Sequence, residues 1–170
     1  VLVLDYRGYG LSEGRPSEPG LYRDADAGMA YLTDRLGYAA DQIVLLGRSL
    51  GSAAALHVAS RTEVAGVVLV SPLTSGRDVA RQMGMSWLLP LLGRPFANID
   101  RIARVDSPVI VLHGARDGTL DPGMGERLHA AAPRGRGFYL LPNVGHNDIS
   151  LGGAGYIDLI EEFVDEVAPV

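Results

Sequence analysis

Residues 43–59 read IVLLGRSLGSAAALHVA, and this stretch indicates the fold more clearly than any other. Four apolar residues typical of a buried strand lead into GRSLG at 47–51, which is followed by an Ala-rich segment of high helix propensity. A G-x-S-x-G sequence between a strand and a helix is the pattern of a nucleophile elbow, where the serine occupies the tight turn. The pattern predicts Ser49 as a nucleophile facing the free N–H groups of the following helix.

A second match to the same pattern, GLSEG at 10–14, lacks this setting. Residues 6–10 separate it from the preceding apolar run, and Arg15, Pro16 and Ser17 follow it without a helix start. We therefore predict that Ser12 is a loop serine and that GRSLG alone is the elbow.

Apolar runs typical of strands alternate with helical patterns along the chain. The predicted strands are residues 1–5, 43–47, 64–71, 108–114 and 137–142, and the predicted helices are residues 19–36, 50–61, 122–132 and 156–167. This alternation predicts a mostly parallel sheet flanked by helices, in one α/β domain over residues 1–170. Residues 72–104 interrupt the alternation, and we interpret them as a short cap-like insertion.

The composition narrows the class of protein. The net charge is 15 − 20 = −5 and the basic residues are scattered, so nucleic acid and anionic membrane surfaces are not expected partners. All 15 basic residues are Arg, which is typical of a GC-rich bacterial genome. The absence of cysteine excludes disulfides and thiolate metal sites and fits a reducing cytoplasm. No apolar run approaches the ~18 residues of a transmembrane helix.

A serine hydroxyl needs a general base, and the base needs a carboxylate to orient it. Of the four histidines, His146 lies in a loop directly after the last predicted strand, at the sheet edge where Ser49 also lies. We predict it as the base, and interpret His57, His113 and His129 as structural. Asp117 follows the fourth run more closely than Asp121, which fits a helix N-cap before Pro122, so Asp117 is the predicted carboxylate.

These stretches together resemble the α/β-hydrolases, and within them the subgroup of eukaryotic protein depalmitoylases and serine-aminopeptidase-like hydrolases. The likeness is carried by motifs spread over the whole chain: DYRGYGLSEGRPSE with LYRD, GRSLGS, SPLTSG, NIDRI, SPVIVLHG and GHNDI. The resemblance implies Ser49 as nucleophile, Asp117 as the acid of HGxxD and His146 as the histidine of GHND. Arg48 replaces the Gln of the depalmitoylases, and their N-terminal cysteine cluster is absent, which favours a bacterial esterase or acyl hydrolase.

The resemblance also implies that residues 1–5 correspond to the fourth strand of the family's sheet. On that basis we expect an N-terminally truncated chain that lacks three strands, with residues 1–5 and 43–47 separated by a gap of roughly two strand spacings, 9–10 Å. One oxyanion-hole donor, the Leu50 N–H, would be present, and the second would lie upstream.

The predicted reaction is hydrolysis of a small-molecule carboxylic ester or thioester through an acyl-enzyme on Ser49. No metal or organic cofactor is implied, and nothing in the sequence specifies an oligomeric state. The cap residues Met83, Met85, Trp87 and Leu88 are either an acyl pocket or ordinary cap packing. Two alternatives stay open at this point: a serine peptidase of the aminopeptidase type, and a catalytically inert truncated hydrolase.

Overall fold

The computed structural model describes residues 1–149 and 154–168. Four strands form one parallel sheet: β1 (Val44–Arg48), β2 (Gly66–Val70), β3 (Val109–Gly114) and β4 (Gly135–Leu141). Their order in the sheet is the order of the chain, β1-β2-β3-β4, and every pair is parallel. The prediction of a parallel sheet flanked by helices is confirmed.

The described residues also form six α-helices, most of which pack on the two faces of the sheet or on each other. They are α1 (Glu18–Ala30), α2 (Gly51–Ala59), α3 (Gly76–Gln82), α4 (Asn98–Ile102), α5 (Pro122–Ala131) and α6 (Ala154–Val167). Helix α1 continues into a π-helical turn, Tyr31–Arg35, and short 3₁₀ turns occupy Ala40–Gln42 and Ser86–Leu88. Ser17, Ser75 and Asp121 cap α1, α3 and α5 by accepting from backbone N–H groups, as the prediction for Asp121 required.

The alternation of side chains along the two central strands divides the core into two layers. Val67 and Leu69 of β2 face α2, α4 and α5, where they pack against Leu56, Ile102 and Leu128. Val68 and Val70 face α6 and pack with Tyr156 and other apolar residues of that layer. Because β2 and β3 are covered on both faces, every residue in them is buried.

The prediction of a strand at residues 1–5 is wrong. These residues form no regular element, and Val1 and Val3 are exposed. A strand requires a neighbour that pairs with its backbone N–H and C=O groups, and no strand in residues 1–149 and 154–168 pairs with the outer edge of β1. Leu4 instead lies against Gly28 of α1.

The next residues are held against α1 by an ion pair between Arg7 and Asp24. Arg7 donates to both carboxylate oxygens of Asp24, and its backbone N–H donates to the same carboxylate at 2.9 Å. Ser12 lies in a turn, where its hydroxyl donates to the carbonyl of Asp5 at 2.8 Å. The structure thus places Ser12 in a loop, as predicted.

The cap-like segment, residues 72–104, holds α3, the turn at 86–88 and α4. Arg77 of α3 binds the carbonyl oxygens of Leu89 and Leu92, and buried Asn98 donates to the carbonyl of Leu73 at 3.0 Å. These bonds hold the segment together from Leu73 to Asn98, and α4 joins the helix layer on one face of the sheet. Its role as a cap stays a prediction.

Candidate active site

Ser49 sits on a tight turn between β1 and α2. Its φ of 51° lies in the left-handed region, which is uncommon for a residue with a side chain and marks a strained turn. Three hydrogen bonds hold the turn. The Ser49 N–H donates to the Val70 carbonyl at 2.9 Å, and the Ser49 carbonyl accepts from the Ser52 N–H at 3.0 Å and the Ser52 hydroxyl at 2.6 Å. At Gly47 a Cβ would lie 2.7 Å from the Gly51 carbonyl oxygen, so the elbow closes only around a glycine there.

Asp117 lies in the turn that follows β3, and its carboxylate is fully buried. One oxygen, Oδ1, accepts from the backbone N–H groups of Thr119 at 2.9 Å and Leu120 at 2.8 Å. Burial raises the pKa of Asp117, but the bonds from Leu120, His146 and Thr119 together outweigh it, so the pKa lies below its usual value. The group is therefore ionised at neutral pH and can only accept.

The loop between β4 and α6 carries His146. It packs directly on the end of β3, because a Cβ at Gly114 would lie 2.5 Å from the Val144 carbonyl oxygen. Asp148 accepts from the Gly145 N–H at 2.6 Å, so Asp148 steadies this loop. From the other side, Arg48 Nη2 donates to the His146 carbonyl at 2.6 Å.

The structure brings the three predicted side chains into one chain of hydrogen bonds. His146 Nδ1 lies 2.7 Å from Asp117 Oδ2, and its Nε2 lies 2.9 Å from Ser49 Oγ. Since an ionised carboxylate cannot donate, Nδ1 carries the imidazole proton and Nε2 is free to accept from the serine hydroxyl. This arrangement is the one that a serine nucleophile and its base require.

Leu50, the predicted oxyanion-hole donor, begins the first turn of α2. Within residues 1–149 and 154–168, no group accepts a hydrogen bond from its N–H, which is thus available to a ligand beside Ser49. The partial positive charge at a helix N-terminus adds to the attraction for an anion at this position.

A cleft of about 180 Å³ opens next to Leu50. Its apolar lining comes from the N-terminal segment, α1 and the end of the cap-like segment: Tyr6, Tyr9, Leu21, Leu50 and Phe96. Glu18 accepts from the Phe96 N–H at 2.7 Å and so fixes one wall.

The four predicted pocket residues lie elsewhere. Met83 and Trp87 are 61% and 71% exposed, and neither they nor Met85 and Leu88 line the cleft. The structure does not bring these four side chains together with Ser49, and an acyl pocket there stays a prediction.

Two side chains at this edge have contacts that the sequence did not reveal. Arg48 connects the end of β1 to His146, 98 residues later in the chain. Its position directly before Ser49 was the one signal in the sequence that it could contact another part of the site. His113, the penultimate residue of β3, lies 3.2 Å from Asp117 Oδ2 and is fully buried. Its position four residues before Asp117, beside a glycine turn, suggested support of the turn but not contact with the carboxylate.

Neither a metal centre nor a membrane segment is evident in the part of the chain that the structure describes. No three His, Asp or Glu side chains among residues 1–149 and 154–168 are grouped as metal ligands. No helix in the same ranges combines the length and the apolar composition needed to cross a bilayer.

Comparison with known proteins gives a consistent family. Residues 1–101 match the family described as serine aminopeptidase, S33. Alpha/beta hydrolase domain-containing protein 17C of Mus musculus is 38% identical over 99% of this chain and 52% of its own length. An uncharacterized protein of Mycobacterium tuberculosis is 40% identical over 99% of this chain and 60% of its own length. The chain thus spans about half the length of the mouse relative.

Solved structures show the same fold. An alpha-beta hydrolase from Vibrio vulnificus superposes with a TM-score of 0.78 at 24% identity, covering 94% of this chain and 61% of its own. An esterase from Pyrococcus furiosus gives a TM-score of 0.75 at 20% identity, covering 96% and 69%.

Proposed function

Because the chain belongs to the serine aminopeptidase S33 family of α/β-hydrolases, we propose that it is the catalytic part of a serine hydrolase that cleaves carboxylic esters or thioesters. The observation that carries this proposal is the hydrogen-bond chain from Ser49 Oγ through His146 to Asp117, with distances of 2.9 and 2.7 Å. Catalytic roles for these three residues are part of the proposal.

The proposed reaction has two halves. Ser49 Oγ attacks the carbonyl carbon while its proton passes to His146 Nε2, and Asp117 holds the imidazole in place and stabilises the imidazolium. The Leu50 N–H donates to the oxyanion, and collapse of the intermediate transfers the proton to the leaving alcohol or thiol. Water then attacks the acyl group on Ser49 with His146 again as base, which releases the acid.

The small cleft beside Leu50 supports a small acyl group as the part bound next to Ser49. Its 180 Å³ is less than the ~300–1,000 Å³ of pockets for drug-sized ligands. The apolar lining matches a hydrocarbon chain and offers no charged group that the fold leaves free. Glu18 borders the cleft, but it already accepts from Tyr22 and the Phe96 N–H.

The family description favours a second candidate, an aminopeptidase-type peptidase. Such an enzyme needs a carboxylate that binds the substrate amine. Because Glu18 already accepts two hydrogen bonds, it is not free to bind a substrate amine, which favours esters over peptides. Hydrolysis rates measured with p-nitrophenyl acetate and with leucine p-nitroanilide compare the two candidates directly.

A fluorophosphonate probe tests the proposal, because it forms a covalent bond only with an activated serine. We expect labelling of the unmodified protein and of Ser12→Ala, the matched control at the second G-x-S-x-G, and none of Ser49→Ala. Absence of labelling in the unmodified protein, or its persistence in Ser49→Ala, would overturn the proposal and favour the inert alternative.

A further inference from the structure

His113 contacts the same oxygen of Asp117, Oδ2, that His146 binds. Its Nε2 lies 3.1 Å from the Leu120 carbonyl oxygen and 3.2 Å from Asp117 Oδ2. The Leu120 N–H in turn donates to Asp117 Oδ1 at 2.8 Å. One imidazole therefore closes the turn from 117 to 120: its N–H donates to the Leu120 carbonyl and at the same time lies close to the carboxylate.

The surroundings of His113 determine its protonation. Both neighbours of Nε2 are acceptors, so Nε2 carries the proton. The other nitrogen, Nδ1, is buried and has no hydrogen-bond partner among residues 1–149 and 154–168. A proton there would be a buried donor without an acceptor, which costs about 1–3 kcal/mol.

The helix α5 keeps that side closed. The Cα of Gly125 is packed so tightly on the ring that a Cβ would lie 2.7 Å from Nδ1. Phe138 and Val111 complete this wall with apolar atoms. Nδ1 is thus buried on this side, and no group among the described residues accepts from it.

We propose that His113 is a positioning residue: a permanently neutral, Nε2-protonated imidazole that fixes Asp117 and its turn while leaving the negative charge of Asp117 to His146. A charged imidazole at this position would pair with Asp117 and compete with His146 for the same oxygen, Oδ2. A neutral donor instead orients the carboxylate without neutralising it. The inference rests on the proposed function only in taking Asp117 as the partner of His146.

Burial explains why the His113 imidazole is neutral. It lowers the pKa of His113 by more than the Leu120 carbonyl and the Asp117 charge raise it. The charge on His146 that forms during turnover lowers it further, so His113 stays neutral while His146 becomes protonated.

Nitrogen NMR of the imidazoles in the unmodified protein tests the protonation state without any turnover. With ¹⁵N-labelled histidine, we expect His113 to keep the neutral Nε2–H pattern from pH 6.5, the usual pKa of histidine, up to pH 9. A titration of His113 within this range, or a proton on Nδ1, would overturn the proposal. The measurement stands even if the fluorophosphonate test fails and the proposed function is abandoned.

Variants test the positioning role. His113→Leu removes the donor, and we expect fluorophosphonate labelling of Ser49 to slow about 3- to 10-fold, the size of one neutral hydrogen bond. His113→Gln keeps a donor near the Nε2 position and should restore most of the rate. Labelling of His113→Leu at the unmodified rate would refute the role.

Gly125→Ala perturbs His113 without altering any group of the site. We expect it to slow labelling as His113→Leu does, because the new methyl group displaces the ring. The matched control is Gly118→Ala in the Asp117 turn, where a Cβ meets no atom within 4 Å among the described residues. Equal labelling rates in Gly125→Ala and Gly118→Ala would contradict the proposal. This comparison can still be made if His113→Leu fails to fold.

Discussion

Asp117→Asn removes the negative charge at the centre of the candidate site but keeps the size of the side chain. The amide has the size of the carboxylate, but one of its two positions becomes an NH₂ donor. With the amide oxygen at the Oδ1 position, it still accepts from Thr119 and Leu120, and its NH₂ group faces His146 Nδ1, 2.7 Å away in the native protein. The opposite orientation would set NH₂ against two backbone N–H groups. The first sets it near the His113 N–H, which still donates to the Leu120 carbonyl, so the first orientation is retained.

In that orientation two donors meet at His146 Nδ1, and the imidazole relieves the clash by moving its proton to Nε2. This nitrogen then donates to Ser49 Oγ and can no longer take the serine proton. A wrong tautomer of this kind costs about 10⁴-fold in kcat in a Ser-His-Asp triad, which corresponds to about 5.4 kcal/mol of barrier. We expect a loss of that size in hydrolysis of p-nitrophenyl acetate and in fluorophosphonate labelling.

The matched control is Asp121→Asn. Asp121 caps α5 by accepting from the Gly123 N–H at 2.6 Å, and Asn caps helices equally well. This variant should keep the native rate and stability. An Asp117→Asn protein that is folded and keeps more than about a tenth of the native rate would refute the tautomer argument.

Three further variants test the supports of the site and the fold. Arg48→Met removes an exposed donor to the loop of the base and should slow labelling of the nucleophile about 3- to 5-fold, with partial recovery in Arg48→Lys; an unchanged rate would show that the loop is self-supporting. The hydrogen bond from Arg7 is the main cause that lowers the pKa of Asp24. Its stabilisation is therefore complete above about pH 5 and is lost as the pH falls through 4 and below, so the melting temperature should decline less steeply on acidification in Asp24→Asn. Gly47→Ala should lower the free energy of unfolding in urea by about 1–3 kcal/mol through overpacking, whereas Gly93→Ala, with no atom within 4 Å of its Cβ in the described residues, should not.

Two of the correctly predicted strands can be recognised from their amino-acid composition. Residues 67–70 and 109–112, at the centres of the runs at 64–71 and 108–114, are all apolar because both faces of β2 and β3 are covered, so composition alone reveals these strands. The run at 1–5 has the same composition, and the prediction failed there because pairing depends on a neighbour that composition does not specify.

The candidate site likewise contains residues whose positions the sequence predicted and contacts that it did not. Ser49, Asp117 and His146 each follow a strand and could be placed by topology, and the structure sets them within hydrogen-bond distance; their catalytic roles remain predictions. The contacts of Arg48 and His113 depend on side-chain reach across the folded sheet, and Arg48 meets a residue 98 positions away. The positions of Arg48 beside Ser49 and of His113 near Asp117 suggested support of the site, but no local pattern specifies which atoms these side chains contact.

The order of the strands, identical in space and in sequence, has a consequence for the growing chain. Each strand needs only its predecessor as a template, so the sheet can grow by addition during synthesis from β1 to β4. The elbow follows β1 and the Asp117 turn follows β3, whereas His146 follows β4. Ser49 is therefore synthesised long before His146, and under the proposed function we expect fluorophosphonate labelling during translation to begin only after His146 has emerged from the ribosome.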